Sequence, residues 1–195
     1  ISGREIWDVA WDRIFEPIAL YNVVARPGPA LDGRIAHVAD TARPGTDVES
    51  YNSVYWRSLG IPWGGLYGSV RDVVRFAGSF LPGGSPFLSA ASVRAMTSDQ
   101  VRGVPGGVGS LKLRWPRAYW GLGWEVKGTK TRHWTGELTS PKTFCHFGAA
   151  GTLVWSDPER NVALAVFGNR MTVHRWPFVP ARWAQLSNAV VSAVA

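Results

Sequence analysis

The chain has 195 residues, of which 46% are hydrophobic and 12% aromatic, with a formal charge of +7, enough for one packed domain with a large aromatic core. No apolar run approaches the roughly 18 residues that cross a bilayer, and the arginines stand singly instead of forming a run or patch, which excludes a nucleic-acid footprint. Cys145 is the one cysteine, so there is no internal disulfide and the compartment stays open. No leader pattern is visible at the start, which opens on Ile1.

Ser2-Gly3-Arg4-Glu5 has the form of a capping box, and Ile6, Val9, Ala10 and Ile14 follow at helical spacing with Trp7 and Trp11 widening the stripe. Glu16-Pro17 is expected to stop that helix. Residues 26–50 carry Pro, Gly and Asp without a period and read as a long surface loop. In "PWGGLYGSVRDVVRFAGSFL", Ser69 and Asp72 form a second capping box, and Val70, Val73, Val74, Ala77 and Leu81 keep one helical face. The glycines before this helix suggest a phosphate cradle, but no lysine follows at the Walker spacing and no G-x-G-x-x-G occurs, so they read as a structural turn.

A short helix capped near Ser89 comes next, then a stretch at 101–110 that reads as flexible by composition. Strands are expected near 119–128, 143–148, 152–157 and 162–168, with a loop at 128–142 and a turn at 158–161. A closing helix from about Pro180 would set Trp183, Leu186, Val190 and Val194 on one side. Helices first, then antiparallel strands, then a helix argue an α+β fold rather than βαβ units.

Five stretches in this order resemble one family. "SGREIWDVAWDRIFEPI" is similar to a helix ending in R-I-F-E-P-L-G-M, and "WGGLYGSVRDVVRFAGSFL" to A-G-G-L-x-S-T-x-x-D-L-x-R-F. "LSAASVRAMTSDQ" resembles L-S-x-x-T-V-x-x-M, and "YWGLGWEV" resembles Y-G-L-G-W. "CHFGAAGTLVWSDPERNVALAVFGNR" resembles H-x-G-x-x-G-x-x-x-x-x-D-P-E. Together they resemble the serine β-lactamase and penicillin-binding-protein-like superfamily, including its esterase members.

That resemblance implies a site with three parts: a Ser-x-x-Lys bearing the acylated nucleophile, a Tyr-x-Asn or Tyr-x-Ser relay, and a Lys-Thr-Gly or His-x-Gly strand as the third wall. On it, His146-Phe147-Gly148 is the third wall. Gly148 allows a substrate backbone to approach closely, and the Ala149 N–H is placed to meet a developing oxyanion. Phe147 is expected to touch substrate. Tyr51, Tyr55, Trp56 and Trp63 are expected to wall the pocket, and His133 to lie at its rim or to have no role. Alternation along the strand sends Cys145 to the face opposite His146, into the core.

The other two parts are absent from the sequence. The residues three before Lys112, Lys127, Lys130 and Lys142 are Gly109, Trp124, Lys127 and Thr139, so there is no Ser-x-x-Lys. Tyr51-Asn52-Ser53 and Tyr67-Gly68-Ser69 fit Tyr-x-Ser, but both follow "RIFEPI", whereas the family's tyrosine motif precedes it. No other catalytic motif substitutes. The expectation is that residues 1–195 are the carboxy-terminal portion of a single β-lactamase-like domain, lacking the nucleophile helix and first strands. Such a chain would be inactive alone and would expose its last strand for pairing with another chain.

His146 and Phe147 stand where a Lys-Thr pair would bind a carboxylate. A largely neutral imidazole and a phenyl ring favour an uncharged ester or amide substrate over a lactam carboxylate. No cofactor is implied, and His37 and His174 have no metal-ligand spacing. Two other readings stay open: a non-catalytic ligand-binding member of the same fold, and a tryptophan-rich carbohydrate-binding module.

Overall fold

A computed structural model describes residues 2–109, 113–172 and 178–194. Its centre is an antiparallel sheet in the order β3 (Glu125–Val126), β4 (Phe144–Gly148), β5 (Thr152–Asp157), β6 (Val162–Phe167). The β4–β5 register pairs Cys145 with Trp155, His146 with Val154 and Gly148 with Thr152, and β5–β6 pairs Trp155 with Leu164 and Asp157 with Val162. Side chains alternate across a strand, so Cys145, Phe147, Leu153, Trp155, Leu164 and Val166 share one face. There they pack with Trp115, Trp134, Trp183 and Val191. The other face carries Phe144 and Val154, which pack with Val126, Trp124, Phe80 and Ala77.

Two helices cover these faces. Helix α3 (Val70–Gly78) begins with the expected capping box, in which Ser69 and Asp72 each accept the other's backbone N–H. It lies over β5 and β6, where the register puts Ala163 and Ala165 toward it and their small side chains let the helix close on the sheet. Helix α5 (Phe178–Val194) covers the opposite face. Its buried residues are Trp183, Ser187 and Val191, while Leu186 and Val194 are exposed. The expected stripe of Trp183, Leu186, Val190 and Val194 is therefore corrected. The polar Ser187 takes a core position because the buried Trp155 indole needs an acceptor, and its Nε1–H donates to Ser187 Oγ at 3.0 Å.

Four local expectations also change. The first helix, α1 (Ile6–Ala10), has no side-chain cap. Glu5 accepts from Arg26 at 3.3 Å, and Ser2 Oγ accepts only the Arg4 N–H at 3.4 Å. The helix runs on through a π-helical turn (Trp11–Phe15) and a 3-10 turn (Glu16–Ile18) despite Pro17. A proline in the first turn of a helical segment lacks only an N–H that has no partner there anyway.

The stretch read as flexible forms β1 (Gly106–Val108), which pairs with β2 (Leu113–Trp115). The strand expected at 119–128 shrinks to β3, because Trp120 bridges to Glu125 across a tight turn closed by Gly121 N–H to Trp124 C=O at 2.8 Å. A Cβ at Gly121 would stand 1.9 Å from the Met96 carbonyl oxygen, so the turn is wedged against helix α4 (Ala90–Thr97). Ser89 caps α4 as expected. The 26–50 segment holds one 3-10 turn (Pro29–Arg34) and is otherwise irregular, and helix α2 (Val54–Leu59) follows it, capped by Ser53.

The loop at 128–142 is largely buried, with Trp134, Thr135, Thr139 and Ser140 inside. Its last turn is tied to the β5–β6 turn by Asp157, whose fully buried carboxylate accepts from Ser140 N at 2.7 Å, Ser140 Oγ at 2.7 Å, Glu159 N at 3.0 Å and Arg160 N at 3.3 Å. This is the physical content of the Asp157-Pro158-Glu159 motif: one carboxylate closes two loops. Among the described residues no helix is long and apolar enough to cross a membrane.

Candidate active site

β3 pairs only with Phe144 and Cys145, so among the described residues the outer half of β4, His146–Gly148, has β5 on one side and no strand on the other. His146 is exposed at this open edge. Its Nδ1 lies 3.0 Å from the Phe147 carbonyl oxygen, which can only accept, so Nδ1 is the donor in that contact. The Trp120 ring stands edge-on to the imidazole, with centroids 6.3 Å apart.

The Gly148 carbonyl accepts the Gly151 N–H at 3.0 Å inside the turn toward β5. In a trans peptide the N–H points opposite to the C=O, so the Ala149 N–H is directed away from β5, out over the open edge. Two bonds hold the next peptide, since Thr172 N–H and Oγ1–H donate to the Ala149 carbonyl at 2.7 and 3.2 Å. Gly151 has φ +89°, and a Cβ there would lie 2.8 Å from the Arg170 carbonyl oxygen. A Cβ at Gly148 would meet Thr152 Oγ1 at 2.5 Å, so a larger residue there would need that side chain to turn away.

Two residues assigned to the substrate lie elsewhere. Phe147 turns to the α5 face, packed on Trp134 at 4.9 Å and Trp183 at 6.1 Å between ring centroids, because the strand sends it to the side opposite His146. His133 is 2% exposed and so is not at a rim. It stacks on Trp134, accepts the Thr135 N–H at Nδ1, and turns Nε2 toward Glu125 Oε1 at 3.4 Å. Glu125 also accepts from the Lys130 ammonium at 2.6 Å.

Burial opposes ionisation of Glu125, yet the hydrogen bonds and charge of His133 and Lys130 outweigh it and hold its carboxyl below the ordinary value. Burial pushes the His133 imidazole down. Cys145 is fully buried beneath this cluster and its thiol is pushed well up by burial, so it is no nucleophile. Glu125, His133 and Cys145 do offer ligand atoms within 4.8 Å of one another. However, Glu125 Oε1 already takes the Lys130 ammonium at 2.6 Å, which would set a positive charge beside any metal ion held there.

Three of the four aromatics expected to wall a pocket pack on one another. Tyr51 packs on Trp56 at 5.1 Å and Trp56 on Trp63 at 6.1 Å between centroids, while Trp63 and Tyr55 are exposed. Tyr55 lines an open cavity of about 520 Å³ with Glu49, Asn52, Ser53 and Arg57. Glu49 is held down at about 2 by hydrogen bonds from Thr41, Asn52 and the Gly45 N–H. His174 lies outside the described residues.

Trp120 and Thr172 were not singled out from sequence. The glycines at 121 and 123 were a readable signal that "YWGLGW" turns back and brings Trp120 to the edge. Thr172 had none, because its contact depends on the chain returning after β6.

Comparisons with known proteins bear on the family and the fold. A 78-residue stretch, 33% of this chain and 18% of its counterpart, is 41% identical to a Salmonella gallinarum protein described as "Putative D-alanyl-D-alanine carboxypeptidase". A β-lactamase structure from Mycobacterium bovis matches 99% of this chain at 26% identity and a TM-score of 0.72, while this chain covers 58% of it. The structure of EstA from Arthrobacter nitroguajacolicus shares the fold, with 20% identity, a TM-score of 0.68, all of this chain matched and 55% of EstA covered. The chain thus spans little more than half of these solved structures. The β-lactamase family model matches residues 1–186, and the chain belongs to that family.

Proposed function

We propose that these residues form the substrate wall and oxyanion side of a serine-type acyl hydrolase acting on uncharged esters or amides. The acylated serine and its base would be supplied by polypeptide outside residues 1–195. The observation that carries this reading is the Ala149 N–H, aimed over the open edge of β4 by the Gly148–Gly151 hydrogen bond. An ester lying along that edge would set its carbonyl oxygen against this N–H. Addition of the serine oxygen to the carbonyl carbon would then build negative charge where a fixed donor waits. The leaving group departs with a proton from the base, and water releases the acid in a second step.

An exposed His146 with the Trp120 ring edge-on beside it puts an aromatic wall where the family's Lys-Thr pair would hold a carboxylate, which supports an uncharged acyl substrate. In this reading the 195 residues are one part of a single domain, and β6, at the end of the sheet order, accepts a strand from the remaining part.

The test is turnover of p-nitrophenyl butyrate and of nitrocefin by the full-length protein and by residues 1–195 alone. Ester turnover by the full-length protein only is expected. Faster nitrocefin turnover would reverse the substrate assignment, and equal activity of the 195 residues alone would refute the need for an external serine. The absence of any Ser-x-x-Lys favours a second reading, a ligand-binding member without catalysis. A full-length protein that takes no fluorophosphonate label would select it.

A further inference from the structure

We infer that Asn52, backed by Glu49, is a positioning residue for the Ala149 turn, although it lies almost a hundred residues away in sequence. The connection is an unbroken series of short polar contacts. The Asn52 carboxamide embraces the Val38 peptide groups: its Oδ1 accepts the Val38 N–H at 2.8 Å and its Nδ2 donates to the Val38 carbonyl at 2.8 Å. The same Nδ2 donates to Glu49 Oε1 at 2.6 Å. Glu49 also takes the Gly45 N–H at 2.9 Å and the Thr41 hydroxyl.

Beside Val38, Ala39 pairs in parallel with Arg170: its N–H donates to Asn169 O at 2.8 Å and its carbonyl accepts Met171 N–H at 3.0 Å. Asn169 Nδ2 adds a bond to the His37 carbonyl at 3.2 Å. The strip 168–172 then grips the turn from both ends, through Gly168 N–H to Gly151 O at 2.9 Å and Thr172 N–H to Ala149 O at 2.7 Å.

Two features separate this from ordinary loop packing. A carboxamide that satisfies both polar groups of one residue fixes that backbone in orientation as well as place. The clasped loop also holds backbone in a costly conformation, since Asp40, Arg43 and Tyr51 have φ of 62°, 57° and 68°. Such residues persist only where surrounding contacts hold them, and here the Glu49–Asn52 clasp does so. The product of the clasp is a fixed address for the 169–172 strip and therefore for the donor over the open edge.

The catalytic part of this inference rests on the proposed function; the mechanical part does not. Amide hydrogen exchange read by NMR on the full-length protein separates the two, with Asn52→Leu as the main variant and the isosteric Glu49→Gln as the milder one. Asn52→Leu is expected to speed exchange at Ala39, Gly151, Met171 and Thr172 by about tenfold while β5 amides stay as in the parent. Ester turnover is expected to show kcat down about tenfold with KM within about twofold, because the donor is displaced and not the binding surface. Glu49→Gln should show the same pattern at roughly a third of the size.

Faster exchange confined to 37–53 would overturn the inference, as would a uniform rise that includes β5. A kcat that stays put while Gly151 and Thr172 exchange faster would overturn the catalytic part. If the parent hydrolyses no ester, the proposed function falls, and the exchange pattern still decides the mechanical link.

Discussion

Asp157→Asn is the sharpest test of how this fold is held, because it changes one atom in a fully occupied carboxylate. One oxygen, Oδ2, accepts from Ser140 N at 2.7 Å and from the Arg160 guanidinium at 3.2 Å. The other, Oδ1, accepts from the Ser140 hydroxyl at 2.7 Å and the Glu159 N–H at 3.0 Å. Whichever way an asparagine amide sits, its NH2 faces two donors that cannot reverse. These are Ser140 N–H and the Arg160 guanidinium on one side, and Glu159 N–H and Arg160 N–H on the other, where only the Ser140 hydroxyl can turn and accept. Hydrogen bonds to a charged group are each worth about 1.5–3 kcal/mol. Two are lost, and Arg160, which is partly exposed, recovers water for its share, so the cost comes to about 3 kcal/mol.

For a chain of this size that lowers the unfolding midpoint by about 6–12 °C, followed by circular dichroism at pH 7. The pH course gives a second check. Burial works against the Asp157 carboxylate, but the Ser140, Glu159 and Arg160 contacts outweigh it and hold its pKa below the ordinary 3.8. A depressed carboxyl stabilises the fold fully above its unfolded value and loses that contribution as pH falls through the lower folded value. The parent and Asp157→Asn should therefore differ most at neutral pH and converge as pH falls below about 4. A midpoint change under about 2 °C at pH 7, or a difference that widens in acid, would refute the account.

Three further outcomes are expected. Ser187→Ala strands the buried Trp155 indole N–H and should cost about 1–2 kcal/mol in chemical denaturation, with the m-value unchanged. Lys130→Met leaves Glu125 charged and buried without its cation, for a loss of about 3–5 kcal/mol, whereas the double variant Lys130→Met/Glu125→Gln should recover much of it in a double-mutant cycle. Ala149→Pro removes the N–H over the strand edge and should lower ester kcat in the full-length protein by about a hundredfold, while thermal unfolding changes little.

The parts legible in the sequence are those governed by neighbours along the chain. Ser69 and Asp72 announce α3 because a capping box needs only its own first turn. β4, β5 and β6 fall within a residue of their expected bounds because alternation and the 158–161 turn are local signals. The Ser2–Glu5 box was misread for the opposite reason: Arg26, distant in sequence, takes the Glu5 carboxylate.

The order of five motifs places the chain in its family, and His146 and Gly148 at one strand end with Ala149 just beyond it. The tertiary structure alone decided where side chains look. Phe147 and His133 went to the core, Ser187 displaced an expected leucine, and Trp120 came to stand beside His146. Thr172 reaches the Ala149 carbonyl across 23 residues, and the Asn52 loop meets the 169–172 strip only where Ala39 pairs with Arg170, more than a hundred residues away. Local rules set φ and ψ over a few residues, but orientation toward a site is fixed by packing and by hydrogen bonds between distant segments. No window of sequence contains those partners together.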